Sequence, residues 1–207
     1  MSDKKIKRLK QSANIEFVEK KSLFIGYAEV VKSEEEALAI IKSKKKEYAD
    51  ATHNVYAYMI GDSIARYSDD NEPQGTAGMP VLNSIRMSGL TDVLVVVTRY
   101  FGGILLGAGG LVRAYSTAAS MALDAGGVLI FEPYSQMSIV CPYSDYGKLN
   151  LELMAYKCKI DNTAFEDEVT IDFAVREEEC QSLIDRIVDL FNGKLSPVYK
   201  GTRIDSN

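Results

Sequence analysis

Asp92-Val93-Leu94-Val95-Val96-Val97-Thr98 decides the fold of the first half of this chain, and Arg99-Tyr100-Phe101-Gly102-Gly103-Ile104-Leu105-Leu106-Gly107-Ala108-Gly109-Gly110-Leu111-Val112-Arg113 follows it directly. The first run is apolar on both alternating faces, the pattern of a central strand covered on two sides. The second holds five of the fifteen glycines and reads as a turn into a helix. Beyond it Leu111, Tyr115, Ala118 and Ala122 share one helical face, whose alanines allow close approach to a sheet. Gly126-Gly127 ends that helix, and Val128–Phe131 reads as the next strand.

Toward the N-terminus, Pro80–Ser88 has the signals of a short helix closed by Gly89. Val55–Ile60 and Ile64–Tyr67, separated by Gly61-Asp62-Ser63, form a hairpin pattern. Ser33-Glu34-Glu35-Glu36 matches a capping box that opens a helix running to about Tyr48. Ile15–Val31 reads as one or two strands turning near Lys20-Lys21-Ser22. The lysine-rich start, Met1–Lys10, is not followed by an apolar stretch, so a secretory signal is not expected.

Toward the C-terminus, Glu132-Pro133-Tyr134-Ser135 marks a change of composition and divides residues 1–133 from 134–207. Up to Pro133 the chain has 16 basic and 16 acidic residues, and from Tyr134 onward 8 and 13. Strands at Gln136–Cys141, Cys158–Phe165 and Val169–Val175 and a last one at Leu195–Tyr199 alternate with helices marked by Tyr146, Leu149, Leu153 and Tyr156 and by Leu183, Ile187, Leu190 and Phe191. That order is βαββαβ, a ferredoxin-like split βαβ. The fold class expected is α+β, with an N-terminal α/β domain and a ferredoxin-like C-terminal domain.

Composition narrows the functional class. The 207 residues carry a net charge of −5, with 46% hydrophobic and 26% charged residues, ordinary for a globular protein. No apolar run reaches the ~18 residues of a membrane span, so a cytoplasmic protein without membrane contact is expected. Cys141, Cys158 and Cys180 lack metal-ligand spacing and read as packing residues, so neither a metal site nor a cofactor is expected. Between Ala51 and Ile130 there is no lysine, and the basic residues are Arg66, Arg86, Arg99 and Arg113. Arginine offers a rigid fork suited to phosphate or carboxylate.

Two segments are dense in groups able to do chemistry. In Ser68-Asp69-Asp70-Asn71-Glu72-Pro73-Gln74-Gly75-Thr76-Ala77-Gly78, the carboxylates Asp69, Asp70 and Glu72 can bind a hard cation, exchange protons or cap the next helix. The spacing of an EF-hand is absent. Asp69, Asp70 and Glu72 are expected at the surface, near His53 or the glycine-rich turn if they are functional, because ionised carboxylates are seldom buried unpaired. Gly75 and Thr76 close that loop.

In the glycine-rich segment, Gly102, Gly103, Gly107, Gly109 and Gly110 can expose backbone N–H groups at a helix start, a natural anion site, or simply permit tight packing. Gly102 and Gly107 have P-loop separation, but Ala108 and Gly109 stand where Lys and Ser/Thr are needed, and the dinucleotide fingerprint fails at its third glycine. Arg99, Tyr100 and Phe101 suit stacking against a nucleotide, or the end of a buried strand. Arg99 and Arg113 are expected to flank the turn and form the main anion-binding patch. His53, the single histidine, is either a general base or a structural residue.

Asp50-Ala51-Thr52-His53-Asn54-Val55-Tyr56-Ala57-Tyr58, the acidic loop and Thr98–Ser116 together closely resemble the IMPACT/YigZ family. The resemblance is strong over Lys20–Phe131 and extends through the ferredoxin-like part. Three positions depart from the family pattern: Asn71 replaces a glycine, Gln74 a small residue and Leu105 a lysine. The resemblance implies an N-terminal domain similar to the second domain of a small-subunit ribosomal protein and a C-terminal domain similar to an elongation factor G module. It also implies a non-enzymatic binding protein that acts in translation or stress response through RNA, the ribosome or a translation factor. A small-molecule enzyme holding phosphate on the glycine-rich loop and a pure protein–protein interaction module are the other two readings.

Overall fold

The structure is a computed structural model that describes residues 5–206, so the lysine-rich start ahead of Lys5 lies outside the described residues. Ile6–Leu9 forms β1, Ala13–Glu19 β2 and Ser22–Val30 β3. Lys20 and Lys21, both left-handed at φ 46° and 66°, make the two-residue turn between β2 and β3. Two left-handed residues match the twist of the flanking strands. β1 has no counterpart in the sequence reading, because Ile6-Lys7-Arg8-Leu9 lies in a stretch dominated by charge.

Helix α1, Glu34–Glu47, opens on Ser33, whose Oγ accepts from Glu36 N at 3.2 Å. The Glu36 carboxylate accepts from Lys32 N at 2.7 Å, one residue beyond the usual partner of a capping box. The hairpin follows as β4, His53–Ile60, and β5, Ile64–Ser68. Then come α2, Gly78–Ser88, closed by left-handed Gly89, the central strand β6, Val93–Tyr100, and α3, Ala108–Gly126.

These elements make an antiparallel sheet in the order β2-β3-β6-β4-β5. Side chains alternate across β6. Val93, Val95 and Val97 pack in the core shared with α2 and α3, whereas Leu94 and Val96 pack with Ala37 and Ile41 of α1. Both faces are covered, which is why the strand is apolar throughout. Helix α3 lies so close to β3 that a Cβ on Gly26 would sit 2.8 Å from the Ala118 carbonyl oxygen.

The remaining elements are β7, Val128–Cys141, α4, Tyr143–Ala155, β8, Lys159–Phe165, β9, Val169–Arg176, α5, Glu177–Leu190, and β10, Val198–Ser206. β7 pairs with β9 and β10, and β8 pairs with β9, all antiparallel. Met137, Ile139, Leu149, Leu153, Phe173, Leu183 and Ile187 form the core between this sheet and α4 and α5. Cys141 is buried there, with Cys158 and Cys180 packed against it, and all three are free thiols. Burial pushes the Cys158 thiol up to about 12. The described residues form a mixed α+β protein with two sheets and five helices.

Two expectations need correction. Val128–Phe131 and Gln136–Cys141 are one strand, and Glu132-Pro133-Tyr134-Ser135 lies inside it. Pro133 lies inside this strand, opposite Ile204 of β10, while pairing with β9 begins at Tyr134. Leu195 is buried, but the last strand starts at Val198. One compact unit comprises Ile6–Ile130, and the other runs from Phe131 onward with Lys5. Among the described residues no helix is long and apolar enough to cross a membrane.

Candidate functional site

The acidic loop is built first from its own backbone. Asp69 caps α2 from a distance: Oδ1 accepts from Ala77 N at 3.1 Å and Gly78 N at 2.7 Å, and Oδ2 from Gly75 N at 2.9 Å. The amides of Ala77 and Gly78 are N–H groups left unpaired by a helix start, and that of Gly75 belongs to the loop before it. Asp70 Oδ2 accepts from Asn54 N at 2.6 Å, and Oδ1 pairs with Lys45 Nζ at 2.5 Å. Asp70 and Asn71 are both left-handed, at φ 45° and 68°. Asparagine tolerates that conformation better than most residues, so the turn survives without glycine at 71. Gly75 is left-handed too, and the Thr76 hydroxyl donates to the Pro73 carbonyl at 2.6 Å.

Glu72 is not at the surface as expected; its side chain is only 3% exposed. Oε1 accepts from Arg99 Nη1 at 2.7 Å and from the Tyr115 hydroxyl at 2.7 Å, and His53 Nε2 lies 3.7 Å away. Burial of the carboxylate is possible because an opposite charge and a second donor meet it. Burial, and then the charge of Glu72, push the Tyr115 phenol far up, which keeps it a neutral donor.

Arg99 is likewise no part of an exposed anion patch, with a side chain 5% exposed. Its place on β6 continues the series Val93, Val95, Val97, so it points into the α2/α3 core. There Nη1 meets Glu72, Nη2 meets Ser22 Oγ at 3.3 Å, and the guanidinium carbon lies 5.6 Å and 5.4 Å from the centres of the Phe24 and Phe101 rings. Glu72 consumes its charge. Tyr100, of the opposite parity, donates instead to Asp50 Oδ1 at 2.8 Å. Phe101 N donates to Thr52 Oγ1 at 3.0 Å, and Gly102 N to Ser22 Oγ at 3.2 Å.

Gly102 is fixed by close approach, since a Cβ would sit 2.0 Å from the Lys21 carbonyl carbon. Gly103 and Gly107 are left-handed, at φ 81° and 73°. Gly107 caps α3 without a side-chain bond, and no acidic residue lies in the first turn. The first amide of the helix to find a partner is Leu111 N, which donates to the Gly107 carbonyl at 2.9 Å. The amides of Ala108, Gly109 and Gly110 have no hydrogen-bond acceptor among the described residues.

Two concavities meet at this helix start. A cavity of about 400 Å³ is lined by His53, Glu72, Phe101, Leu105, Ala108 and Leu111, among others. A groove of about 430 Å³ is lined by Glu19, Lys20, Leu106, Gly110, Arg113 and Thr117, among others. Leu106 borders both. The structure therefore gathers His53, Glu72, Arg99, Phe101 and Gly107 at the cavity, and Gly110 and Arg113 at the groove. Asp69, Asp70, Gly75 and Thr76 hold the loop in shape, Tyr100 bonds to Asp50, and Gly109 has open space at its Cα.

Three participants lie beyond the sequence reading: Lys20, Ser22 and the Tyr115 hydroxyl. For Tyr115 a signal exists, because a phenol on an otherwise apolar helical face needs a buried partner. His53 Nδ1 lies 2.8 Å from the Asp70 carbonyl oxygen, which can only accept. Nδ1 therefore carries a proton and donates to that carbonyl. Among the described residues no group of three His, Cys, Asp or Glu is placed to hold a metal ion.

Comparison with known proteins follows the same division. The Impact N-terminal domain family matches residues 20–123, and a domain of unknown function, DUF1949, matches residues 139–194. The IMPACT family member YvyE of Bacillus subtilis is 38% identical over 188 residues, covering 90% of this chain and 87% of its own. YigZ of Escherichia coli is 32% identical over 180 residues, covering 85% and 88%. The IMPACT homologue of Dictyostelium discoideum is 39% identical over 106 residues, 48% of this chain and 30% of its own. A crystal structure described only as that of a hypothetical protein matches with a TM-score of 0.60 and 29% identity, over 95% of this chain and 98% of its own. With both halves matched and the two bacterial relatives aligned over most of their length, this chain belongs to the IMPACT family.

Proposed function

We propose that this is a non-enzymatic binding protein of the translation apparatus, which contacts RNA through the N-terminal end of α3. The observation that carries the reading is the groove that Lys20 and Arg113 line together with Gly110, in the first turn of that helix. Two flexible positive charges beside a positive helix end make a site for phosphate, even on a chain with a net charge of −5. Glu19 in the same groove limits the patch to a narrow track. The family resemblance implies a ribosomal-protein-like first domain and an elongation-factor-like second one, and that expectation favours the ribosome as the place where the RNA is met.

Co-sedimentation of the full chain with ribosomes, at low and at physiological salt, tests the reading. Phosphate binding releases counterions, so retention falls steeply as salt rises. Retention that is strong at low salt and weak at high salt supports the proposal. Absence of the protein from the ribosomal fraction and from bound RNA at low salt contradicts it.

A further inference from the structure

We infer that the exposed face of α4 pairs with the same face of a second copy of this chain, as two antiparallel helices related by a two-fold axis. The inference is independent of the RNA reading above. The two helices that cover the C-terminal sheet differ in what they turn outward. Every described residue exposed on α5 is polar, among them Glu178, Gln181, Asp185 and Asp189. On α4, Tyr143, Gly147, Leu151 and Met154 follow helical spacing along one exposed face, and of the described residues exposed on this helix Lys148 alone is charged. Tyr143, Leu151 and Met154 are each more than half exposed, and so is Phe165 of β8, whose ring centre lies 6.3 Å from that of Tyr143. Leu149 and Leu153 fill the core side, so α4 is apolar on two faces, the pattern of a helix covered on both.

Shape and charge say what covers the outer face. Gly147 stands in the helix interior, where glycine weakens a helix, and a Cβ there would meet nothing within 4 Å. The fold of the chain itself makes no use of the missing side chain. Leu151, one turn on, projects as a knob, 67% exposed. A hollow and a knob one turn apart fit each other when two copies run antiparallel, so that each Leu151 seats over the partner's Gly147. The same register sets Met154 against the partner's Tyr143, and a thioether packs well on an aromatic ring. It also brings Lys148 beside the partner's Glu152, a carboxylate that Arg186 holds at 3.0 Å, whereas parallel helices would set like charges together. At ~1.5 Å per residue the 13 residues of α4 span about 20 Å, so this face buries less than the ~800 Å² per partner of a standard complex. The dimer is accordingly a weak one, formed at micromolar concentrations.

Sedimentation equilibrium of the full chain without RNA, over concentrations that span the micromolar range, tests the inference. The native chain should pass from monomer to dimer and go no further, because a two-fold pairing closes on itself. Leu151→Lys removes the knob and places a second cation beside Lys148, and Gly147→Gln fills the hollow. Each should weaken dimerisation at least about tenfold, the equivalent of one apolar side chain left in water. Gly147→Gln should also leave the dilute chain as stable to heat as before or more so, since glutamine is the better helix former. A chain that remains monomeric throughout, a dimer that either variant leaves unchanged, or a loss of heat stability in Gly147→Gln overturns the inference.

Discussion

Arg99 and Arg113 bracket the same glycine-rich segment, yet one is sealed in the core and the other lies in the solvent. Arg99 ends a strand whose alternate residues feed the α2/α3 core, and its charge is met by Glu72. Arg113 sits in the second turn of α3, exposed beside Lys20. The difference teaches that a charged residue's role here follows from its parity on the strand or its face on the helix. The motif in which it stands does not decide it. The first arginine builds the site, and the second is free to use it.

Replacing each arginine should separate these roles most sharply. Arg99→Ala strands Glu72 as an uncompensated buried charge and should cost roughly 3–5 kcal/mol in denaturant unfolding. Arg113→Ala should change stability by less than about 0.5 kcal/mol. Equal, small losses would show that the ion pair under the cavity is not structural. The two arginines can therefore not be removed together as a test of binding, since the double variant would fail through Arg99 alone.

The glycines divide in the same way. Gly102→Ala drives a Cβ into the Lys21 carbonyl and should cost roughly 1–3 kcal/mol or more, because the obstacle is backbone. Gly109→Ala meets open space in a helix and should be neutral or stabilising by up to about 1 kcal/mol. Thermal unfolding of the pair reads both. Asp69→Ala, which frees two amides at the α2 start and one in the loop before it, should cost ~1 kcal/mol, within the usual range for removal of a helix cap.

The smallest effect concerns pH. The Tyr115 phenol is raised in the folded protein, so above the ordinary value of about 10 the unfolded chain releases a proton that the folded chain holds. Stability should fall as pH rises through that range. Tyr115→Phe should make the decline between about pH 9 and 11 shallower without abolishing it, because Tyr27 and Tyr58 are raised as well. An identical slope in the variant would remove Tyr115 from the account.

What can be read from the sequence is local. The capping serine, the Lys20-Lys21 turn and the doubly covered strand at Val93–Val97 all lie within a few residues of the signals that reveal them. The burial of Glu72 escapes such a reading because its partners, Arg99 and Tyr115, are 27 and 43 residues away and only the sheet and α3 bring them together. Burial of Arg99 is legible, since the parity of Val93, Val95 and Val97 extends to it. Its glycine-rich setting suggests a surface instead. β7 reads as two strands because Pro133 and its polar neighbours carry the marks of a boundary, whereas their pairing with β10, about 70 residues away in sequence, keeps them in one strand.

The most direct test of the account is the salt dependence of RNA binding by the native chain and by a Lys20→Ala, Arg113→Ala variant. Removing one charge that neutralises a phosphate should reduce the slope of log affinity against log salt by ~0.7–0.9, so the double variant should bind more weakly and with a slope lower by ~1.4–1.8. Because neither residue supports the core, its unfolding transition should match that of the native chain. A folded double variant that binds RNA with unchanged affinity and slope would contradict the claim that the N-terminal end of α3 is the binding face.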